Sequence, residues 1–247
     1  MKPHAPPVAL VTGAARRIGA EIARALHADG YRVVLHYRGS QQAAQALQAQ
    51  LEAARADSTL LLQADLAQLD ALAAMVQATM ARFGRLDALV NNASAYYATP
   101  VGQATAEHWD DLFASNARGP FFLSQAAAPH LRASGGAIVN LADIYAERPL
   151  PQHTVYCMAK AALVMMTRSL ARELAPQVRV NAIAPGNILW SDNPVKADTE
   201  AMLHERVALQ RQGSPQAIVS TVRWLLTGND YVTGQVVAVD GGRLLYV

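Results

Sequence analysis

Short apolar runs alternate with longer Ala- and Leu-rich segments along the whole chain. Seven runs are apolar at nearly every position, which is typical of strands covered on both faces. These predicted strands are Val8–Val11, Arg32–His36, Thr59–Gln63, Ala88–Asn91, Ala137–Leu141, Arg179–Ile183 and Val236–Val239. The intervening segments are rich in residues that favour helix. The six predicted helices are Ile18–Ala28, Gln41–Arg55, Leu69–Phe83, Glu107–Leu131, Tyr156–Leu174 and Pro215–Leu226.

This alternation predicts an α/β fold with right-handed βαβ crossovers, a parallel seven-stranded sheet and helices on both faces. The elements use all 247 residues, so we predict a single domain over residues 1–247. The exception is the weakly patterned stretch at 186–212. Loops of that length in compact domains are usually lids or binding loops, and we expect a substrate lid there.

Composition narrows the class of protein. Hydrophobic residues make up 52% and charged residues 16%, so the chain hides much of its surface in a core or in subunit interfaces and is not disordered. The single cysteine, Cys157, excludes an intrachain disulfide and a cysteine zinc site, the histidines show no metal spacing, and a reducing, cytoplasmic compartment is expected. Neither a signal peptide nor a membrane span is predicted. The net charge of +2 comes from interspersed signs, which gives no support for a nucleic-acid partner.

A glycine turn follows the first strand. The segment Thr12–Gly19 would let the backbone bend sharply against a pyrophosphate, which the N-terminus of the next helix would bind. Arg17, between the two glycines, could pair with phosphate oxygens or an anionic edge of the substrate. The alternative is an exposed helix arginine. The predicted cofactor contacts of this turn are Gly13, Arg16, Arg17, Ile18 and Gly19.

The end of the second strand predicts which cofactor is bound. NAD sites place an acidic residue there, roughly 20 residues after the glycine turn, to hold the ribose hydroxyls. Here the segment contains His36, Tyr37, Arg38 and Ser40, and no acidic residue lies between Gly30 and Leu51. Because Arg38 and Ser40 could bind a 2′-phosphate, we predict NADPH. Arg38 could instead simply solvate a loop.

Polar residues also end the third and fourth strands, where ligands lie in open parallel sheets. Asp65 and Leu66 follow the third strand, and Asn91 to Ser94 follow the fourth. We predict adenine and ribose contacts there, including Asn92, Ala93 and Ser94.

Tyr156 and Lys160 stand four residues apart at the start of a helix, on one face. A nearby ammonium lowers the pKa of a phenol, which is near 10 when free, and so favours proton exchange at neutral pH. The same lysine could hold ribose hydroxyls. A surface pair is the alternative.

Taken together, these motifs resemble the short-chain dehydrogenases/reductases over essentially the full length. The matching pieces are Thr12–Gly19, Asp65, Asn91–Ala93, Asn116, Tyr156–Lys160, Asn181, Pro185–Gly186 and Val239–Gly242. The resemblance implies a single-domain, doubly wound Rossmann fold, a proton relay supported by Asn116, and cofactor contacts at Pro185, Gly186 and Ile188. It also implies a homotetramer built through the long helices.

Two departures from the family pattern are similar to the pteridine reductases. Asp143 occupies the position of the usual catalytic serine, 13 residues before the tyrosine, and Arg17 replaces the middle glycine. A serine holds a ketone oxygen, whereas a carboxyl can protonate a ring nitrogen. The resemblance implies catalysis by Asp143, Tyr156, Lys160 and Asn116, and substrate contacts at Arg17, Ser94, Tyr96, Asp143 and Tyr156, with Tyr96 stacking on the pterin. Asp143 could instead be only a turn cap.

The sequence therefore predicts an NADPH-dependent reductase of dihydropterins such as dihydrobiopterin, dihydromonapterin or dihydrofolate. The alternative enzyme is a carbonyl or 3-oxoacyl reductase of the same family. The presence of Asp143 in place of the usual catalytic serine argues against it. The other alternative is a non-catalytic dinucleotide-binding regulator. Such a protein would be expected to lack the catalytic set, whereas this chain has Tyr156, Lys160 and Asn116.

Overall fold

The computed structural model describes residues 5–188 and 200–246. Within them lie seven strands: β1 Val8–Val11, β2 Arg32–Tyr37, β3 Thr59–Gln63, β4 Ala88–Asn91, β5 Ala137–Leu141, β6 Arg179–Pro185 and β7 Val236–Val239. Five have the predicted bounds. β2 runs one residue further than predicted and β6 two, which brings Tyr37 and Pro185 to strand ends.

All strands are parallel and form one sheet in the order β3-β2-β1-β4-β5-β6-β7. The chain leaves β1 towards β2 on one side and returns to pair β4 on the other side of β1. Ligands of open α/β sheets bind at such a reversal, outside the carboxyl ends of the strands. The glycine turn after β1 and the segment after β4 therefore flank one crevice.

Helices cover both faces of the sheet. They are α1 Arg17–Ala28, α2 Gln41–Ala54, α3 Leu69–Phe83, α4 Ala106–Phe113, α5 Gly119–Ser134, α6 Thr154–Glu173, α7 Glu200–Arg206 and α8 Pro215–Arg223. Alternate residues of β1 enter opposite cores: Ala9 and Val11 pack with α1 and α8, whereas Val8 and Leu10 pack with α3 and α5. Burial on both faces explains why the strands are continuously apolar.

The helix predicted over Glu107–Leu131 is interrupted by a π-helical turn, and helical backbone runs from Ala106 to Ser134. α4 ends at Phe113, a π-helical turn spans Ala114–Arg118, and α5 starts at Gly119. The Asn116 side chain donates at 2.9 Å to the carbonyl of Leu112 and at 2.9 Å to that of Ala95. Such π turns occur frequently at functional sites, and this one places Ser115 and Asn116 beside the segment after β4.

The predicted lid is partly helical. α7 lies inside the 186–212 stretch, which a weak apolar pattern did not reveal, while positions 189–199 lie outside the described residues. None of the described helices is long and apolar enough to cross a membrane. No group of three potential metal ligands occurs in the part of the chain that the structure describes.

Candidate active site

The glycine turn after β1 is held in a tight conformation. Gly13 has φ +63°, and a Cβ at Gly19 would lie 2.2 Å from the carbonyl oxygen of Gly13. The Asn92 side-chain amide donates to the carbonyls of Thr12 at 2.8 Å and Gly13 at 3.2 Å. Glycine at position 19 is therefore needed because α1 approaches the turn so closely.

The N-terminus of α1 fits a phosphate group. Its N-cap residue, Arg16, makes no side-chain capping bond, and the first turn holds no acidic residue. The first N–H groups of a helix need acceptors, and they attract anions. Arg17 has φ +55°, a left-handed conformation that favours glycine. The sequence thus places a cation at a strained position, as is common at functional sites.

One cleft of about 490 Å³ unites the loops after β1, β2, β3 and β4. The predicted cofactor residues lining it are Gly13, Arg16, Arg17, Ile18, Gly19, His36, Tyr37, Arg38, Ser40, Asp65, Leu66, Asn92, Ala93 and Ser94. Ala15, Gly39, Ala95 and Ser115 also line it. Its volume and its shape along the switch of the sheet fit an extended dinucleotide.

The three predicted contacts after β6 are placed elsewhere. Pro185 ends β6, and Gly186 approaches Asp240 so closely that a Cβ there would lie 2.7 Å from its Cα. Ile188 lines a separate cavity of about 540 Å³. These residues therefore lie at or after the carboxyl end of β6, and they do not line the first cleft.

Two polar side chains near the carboxyl ends of β2 and β4 make hydrogen bonds within the protein. His36 accepts a bond from the Gly13 N–H at 3.2 Å through Nδ1 and donates to Ala64 O at 3.1 Å through Nε2. Burial lowers the pKa of His36, which favours the neutral ring that this pairing needs. Asn91, expected at the cofactor, is instead buried and donates to Asn140 Oδ1 at 2.8 Å.

Half-buried Asp143 and buried Tyr156 form a hydrogen-bonded pair. The Tyr156 hydroxyl donates to Asp143 Oδ2 at 2.6 Å, while Asp143 Oδ1 accepts the Tyr145 N–H at 2.9 Å. Asp143 is thus a turn cap and a partner of the tyrosine at once. Lys160 donates to Leu141 O at 2.8 Å, and its Nζ lies 5.7 Å from the centroid of the Tyr156 ring.

Burial dominates the electrostatics of this group. The pKa of Asp143 is raised by burial, and that of Tyr156 is raised by burial and by the Asp143 charge. Burial lowers the pKa of Lys160 to about 8. The expectation that Lys160 brings the pKa of Tyr156 down is therefore not met, because desolvation of the phenol and the neighbouring carboxyl raise it.

Two further aromatic rings pack beside Tyr156. Tyr96 stacks on His153 with centroids 4.9 Å apart and meets Tyr156 edge-on at 4.9 Å. Tyr96 is 39% exposed, whereas His153 is buried. In the sequence, the signal for a role of His153 is its position three residues before Tyr156.

Ser94 and Asn116 link this segment to the π turn. Ser94 Oγ donates to Asn116 Oδ1 at 2.6 Å, and a hydrogen bond from Ser94 acts to lower the pKa of Tyr156 against the larger raising effects. The side chain of Asn116 therefore positions the loop bearing Ser94 and Tyr96. Among the predicted catalytic residues, Asp143 and Lys160 contact Tyr156, and Asn116 is linked to Tyr156 through Ser94.

Comparison with known proteins agrees with this geometry. A family model described as enoyl-(acyl carrier protein) reductase matches residues 13–243. The chain belongs to the short-chain dehydrogenase/reductase family. It is an oxidoreductase of that family, whose members use a nicotinamide cofactor, and the cleft and the N-terminus of α1 fit such a group.

Relatives within the family carry different names. The chain is 38% identical to pteridine reductase 1 of Leishmania tarentolae, over 97% of this chain and 96% of the relative. It is equally 38% identical to the 3-oxoacyl-[acyl-carrier-protein] reductase FabG of Staphylococcus aureus, over 96% and 98%. An uncharacterized oxidoreductase of Methylorubrum extorquens is 36% identical. Overall identity to these relatives does not separate the two substrate classes. The residues of the site must therefore be used to distinguish them.

Proposed function

We propose that this protein is an NADPH-dependent reductase that converts a dihydropterin to a tetrahydropterin. The observation that carries the proposal is the hydrogen bond of 2.6 Å between the Tyr156 hydroxyl and Asp143, at the position where a serine is usual in the family. A carboxyl with a raised pKa can give a proton to a ring nitrogen, whereas the usual serine holds a ketone oxygen.

The residues after β2 favour NADPH over NADH. Arg38 and Ser40 line the cleft, and Ser40 stands at the N-cap of α2 without a side-chain capping bond. A 2′-phosphate there would meet a guanidinium, a hydroxyl and a helix N-terminus. Bound NADPH supplies the hydride. Lys160 would hold the nicotinamide ribose, and Pro185, Gly186 and Ile188 remain proposed contacts on the β6 side.

Asp143 is suited to deliver the proton. Because burial raises the pKa of Asp143, its carboxyl retains a proton to higher pH than an exposed aspartate does. Hydride addition at a C=N carbon leaves the adjacent nitrogen in need of that proton. Asp143 would give it directly or through the Tyr156 hydroxyl, to which it is bonded, and Asn116 keeps the neighbouring loop in place.

Three residues would bind the flat substrate. Tyr96 offers a half-exposed ring above Tyr156, which suits stacking against a bicyclic pterin. Arg17 and Ser94 line the adjacent cleft, where they would bond to the polar edge of the pterin. Dihydrobiopterin, dihydromonapterin and dihydrofolate share that edge.

Reduction of a 3-oxoacyl thioester is the second candidate, favoured by the 38% identity to FabG. The experiment that separates the two is a comparison of kcat/KM for dihydropterins and 3-oxoacyl thioesters, each with NADPH and with NADH. We expect turnover of a dihydropterin with NADPH preferred. Turnover of the thioester alone would overturn the proposal, and turnover of neither would favour a dinucleotide-binding regulator.

The setting of the reaction follows from the sequence. A free Cys157 suits a reducing compartment, and we place the enzyme in the cytoplasm. Exposed apolar side chains on α5 and α6 support a homotetramer formed through these helices.

A further inference from the structure

Arg38, the residue proposed to bind the 2′-phosphate, faces a carboxylate across the cleft. Its Nη1 lies 3.9 Å from Asp111 Oδ1, and the two side chains are 62% and 45% exposed. Asp111 belongs to α4, and its carbonyl accepts a bond from Ser115 Oγ at 3.2 Å. Because Ser115 and Arg38 both line the cleft, Asp111 sits at its rim.

Asp111 has a second, stronger partner. The Tyr97 hydroxyl donates to Asp111 Oδ2 at 2.9 Å. Burial and this carboxylate raise the pKa of Tyr97 to about 12, so the phenol keeps its proton and remains a donor. Loss of Arg38 would therefore not leave the Asp111 carboxylate without a partner.

The pair with Arg38 is weak. An ion pair near 4 Å between half-exposed side chains contributes little in water, whereas a dianionic phosphate binds a guanidinium through two parallel hydrogen bonds. A 2′-phosphate would thus have to displace the carboxylate from Arg38 before it could bind the guanidinium, which lowers its affinity.

We propose that Asp111 competes with the 2′-phosphate of the cofactor for Arg38 and so limits the preference of this enzyme for NADPH over NADH. The proposal rests on the NADPH site described under the proposed function. The carboxylate that affects cofactor choice would then lie on α4. It would not lie at the end of β2, where an acidic residue is usual in NAD sites.

The test is calorimetric binding of 2′,5′-ADP and 5′-AMP, which differ by the 2′-phosphate. Asp111→Asn removes the charge but keeps an oxygen that can accept from Tyr97. We expect Asp111→Asn to bind 2′,5′-ADP about three- to tenfold more tightly than the wild type, as loss of one partly screened charge allows. Binding of 5′-AMP should change less than twofold. Asp110→Asn, at the exposed neighbour on the same helix, is the matched control and should change neither.

A second background tests the route through Arg38. In Arg38→Gln the gain from Asp111→Asn should fall below twofold, because the carboxylate no longer competes for a guanidinium. An equal gain in both backgrounds, or unchanged or weaker 2′,5′-ADP binding by Asp111→Asn, would overturn the proposal. If Asp111→Asn does not fold, Asp111→Gln makes the same comparison.

The two proposals fail in different ways. If the wild type binds 2′,5′-ADP no better than 5′-AMP, the NADPH assignment is wrong and the role of Asp111 falls with it. If the wild type prefers 2′,5′-ADP and Asp111→Asn behaves like Asp110→Asn, only the role of Asp111 is wrong.

Discussion

At the scale of single residues, Arg17 combines backbone strain with a charge at the cofactor site. Its φ of +55° costs about 1–2 kcal/mol for a residue with a Cβ. Protein stability alone would favour glycine at this position. We therefore propose that the arginine side chain serves binding.

Arg17→Gly separates these two effects. We expect the free energy of unfolding to rise by about 1 kcal/mol, because the strain is relieved, while affinity for NADPH and the pterin falls. Urea unfolding and fluorescence titration measure the two quantities. Arg16→Ala is the control, since Arg16 has an ordinary φ of −145° and should give no gain in stability. A less stable Arg17→Gly with unchanged affinity would show that Arg17 serves the fold.

Because Lys160 is buried, we expect the free energy of unfolding to rise with pH and kcat to fall with pH. Its pKa is lowered from 10.5 to about 8 by burial. Because the folded pKa lies below the unfolded one, the burial penalty on the ammonium is present below pH 8 and disappears as the pH rises towards 10.5. The free energy of unfolding should therefore gain up to about 3 kcal/mol across that window. Over the same window kcat should fall, because the charge beside Tyr156 is lost.

Urea unfolding between pH 7 and 10.5 measures this contribution as a difference between the wild type and Lys160→Met. Titrating groups remote from Lys160 contribute equally to both proteins. Identical pH dependence in the two would contradict the buried ammonium.

At the scale of elements, the turn between β1 and α1 depends on a close contact. A Cβ at Gly19 would lie 2.2 Å from Gly13 O and 2.5 Å from Asn92 Nδ2. The turn and α1 would have to move apart, which opens the phosphate site.

Gly19→Ala should therefore lower the free energy of unfolding by about 1–3 kcal/mol and weaken NADPH binding. Gly39→Ala is the matched control in the same cleft, since its Cβ would meet nothing within 4 Å and its backbone needs no glycine. Thermal melts and NADPH titrations compare the two variants. Equal behaviour of both would show that the turn tolerates a side chain.

Elements were predictable where a local pattern decides them. The strands follow from continuous apolar runs, and the glycine turn and Tyr156 with Lys160 follow from short spacings. The π turn could not be predicted in this way. The apolar pattern continues through Leu112, Leu123 and Leu131 and does not reveal the one inserted residue. The pairing of Asp111 with Arg38 and the stacking of His153 on Tyr96 join distant segments, which spacing along the chain does not reveal.

At the scale of the whole molecule, the low charge fraction of 16% is reflected in apolar side chains left at the surface. Phe121 on α5 and Met158 and Met165 on α6 are all at least 38% exposed. Burial of these side chains between copies of the chain would stabilise an assembly.

Light scattering after size-exclusion chromatography should show a mass of about four chains for the wild type, as proposed from the family. Met165→Glu, at a side chain 59% exposed, should yield smaller species, because a charge would be buried in the interface. Ala49→Glu, on the exposed face of α2, should keep the wild-type mass. A monomeric wild type would contradict the assembly.

We propose that the pair of Asp143 and Tyr156 makes the whole enzyme a pterin reductase. The most direct measurement is the ratio of kcat/KM for dihydropterin to that for a 3-oxoacyl thioester, with NADPH, in the wild type and in Asp143→Ser. The wild type should favour dihydropterin, and Asp143→Ser should lower that ratio by about 100-fold or more, which is typical for loss of a general acid. A wild type that reduces only the thioester, or a ratio unchanged by Asp143→Ser, would contradict it.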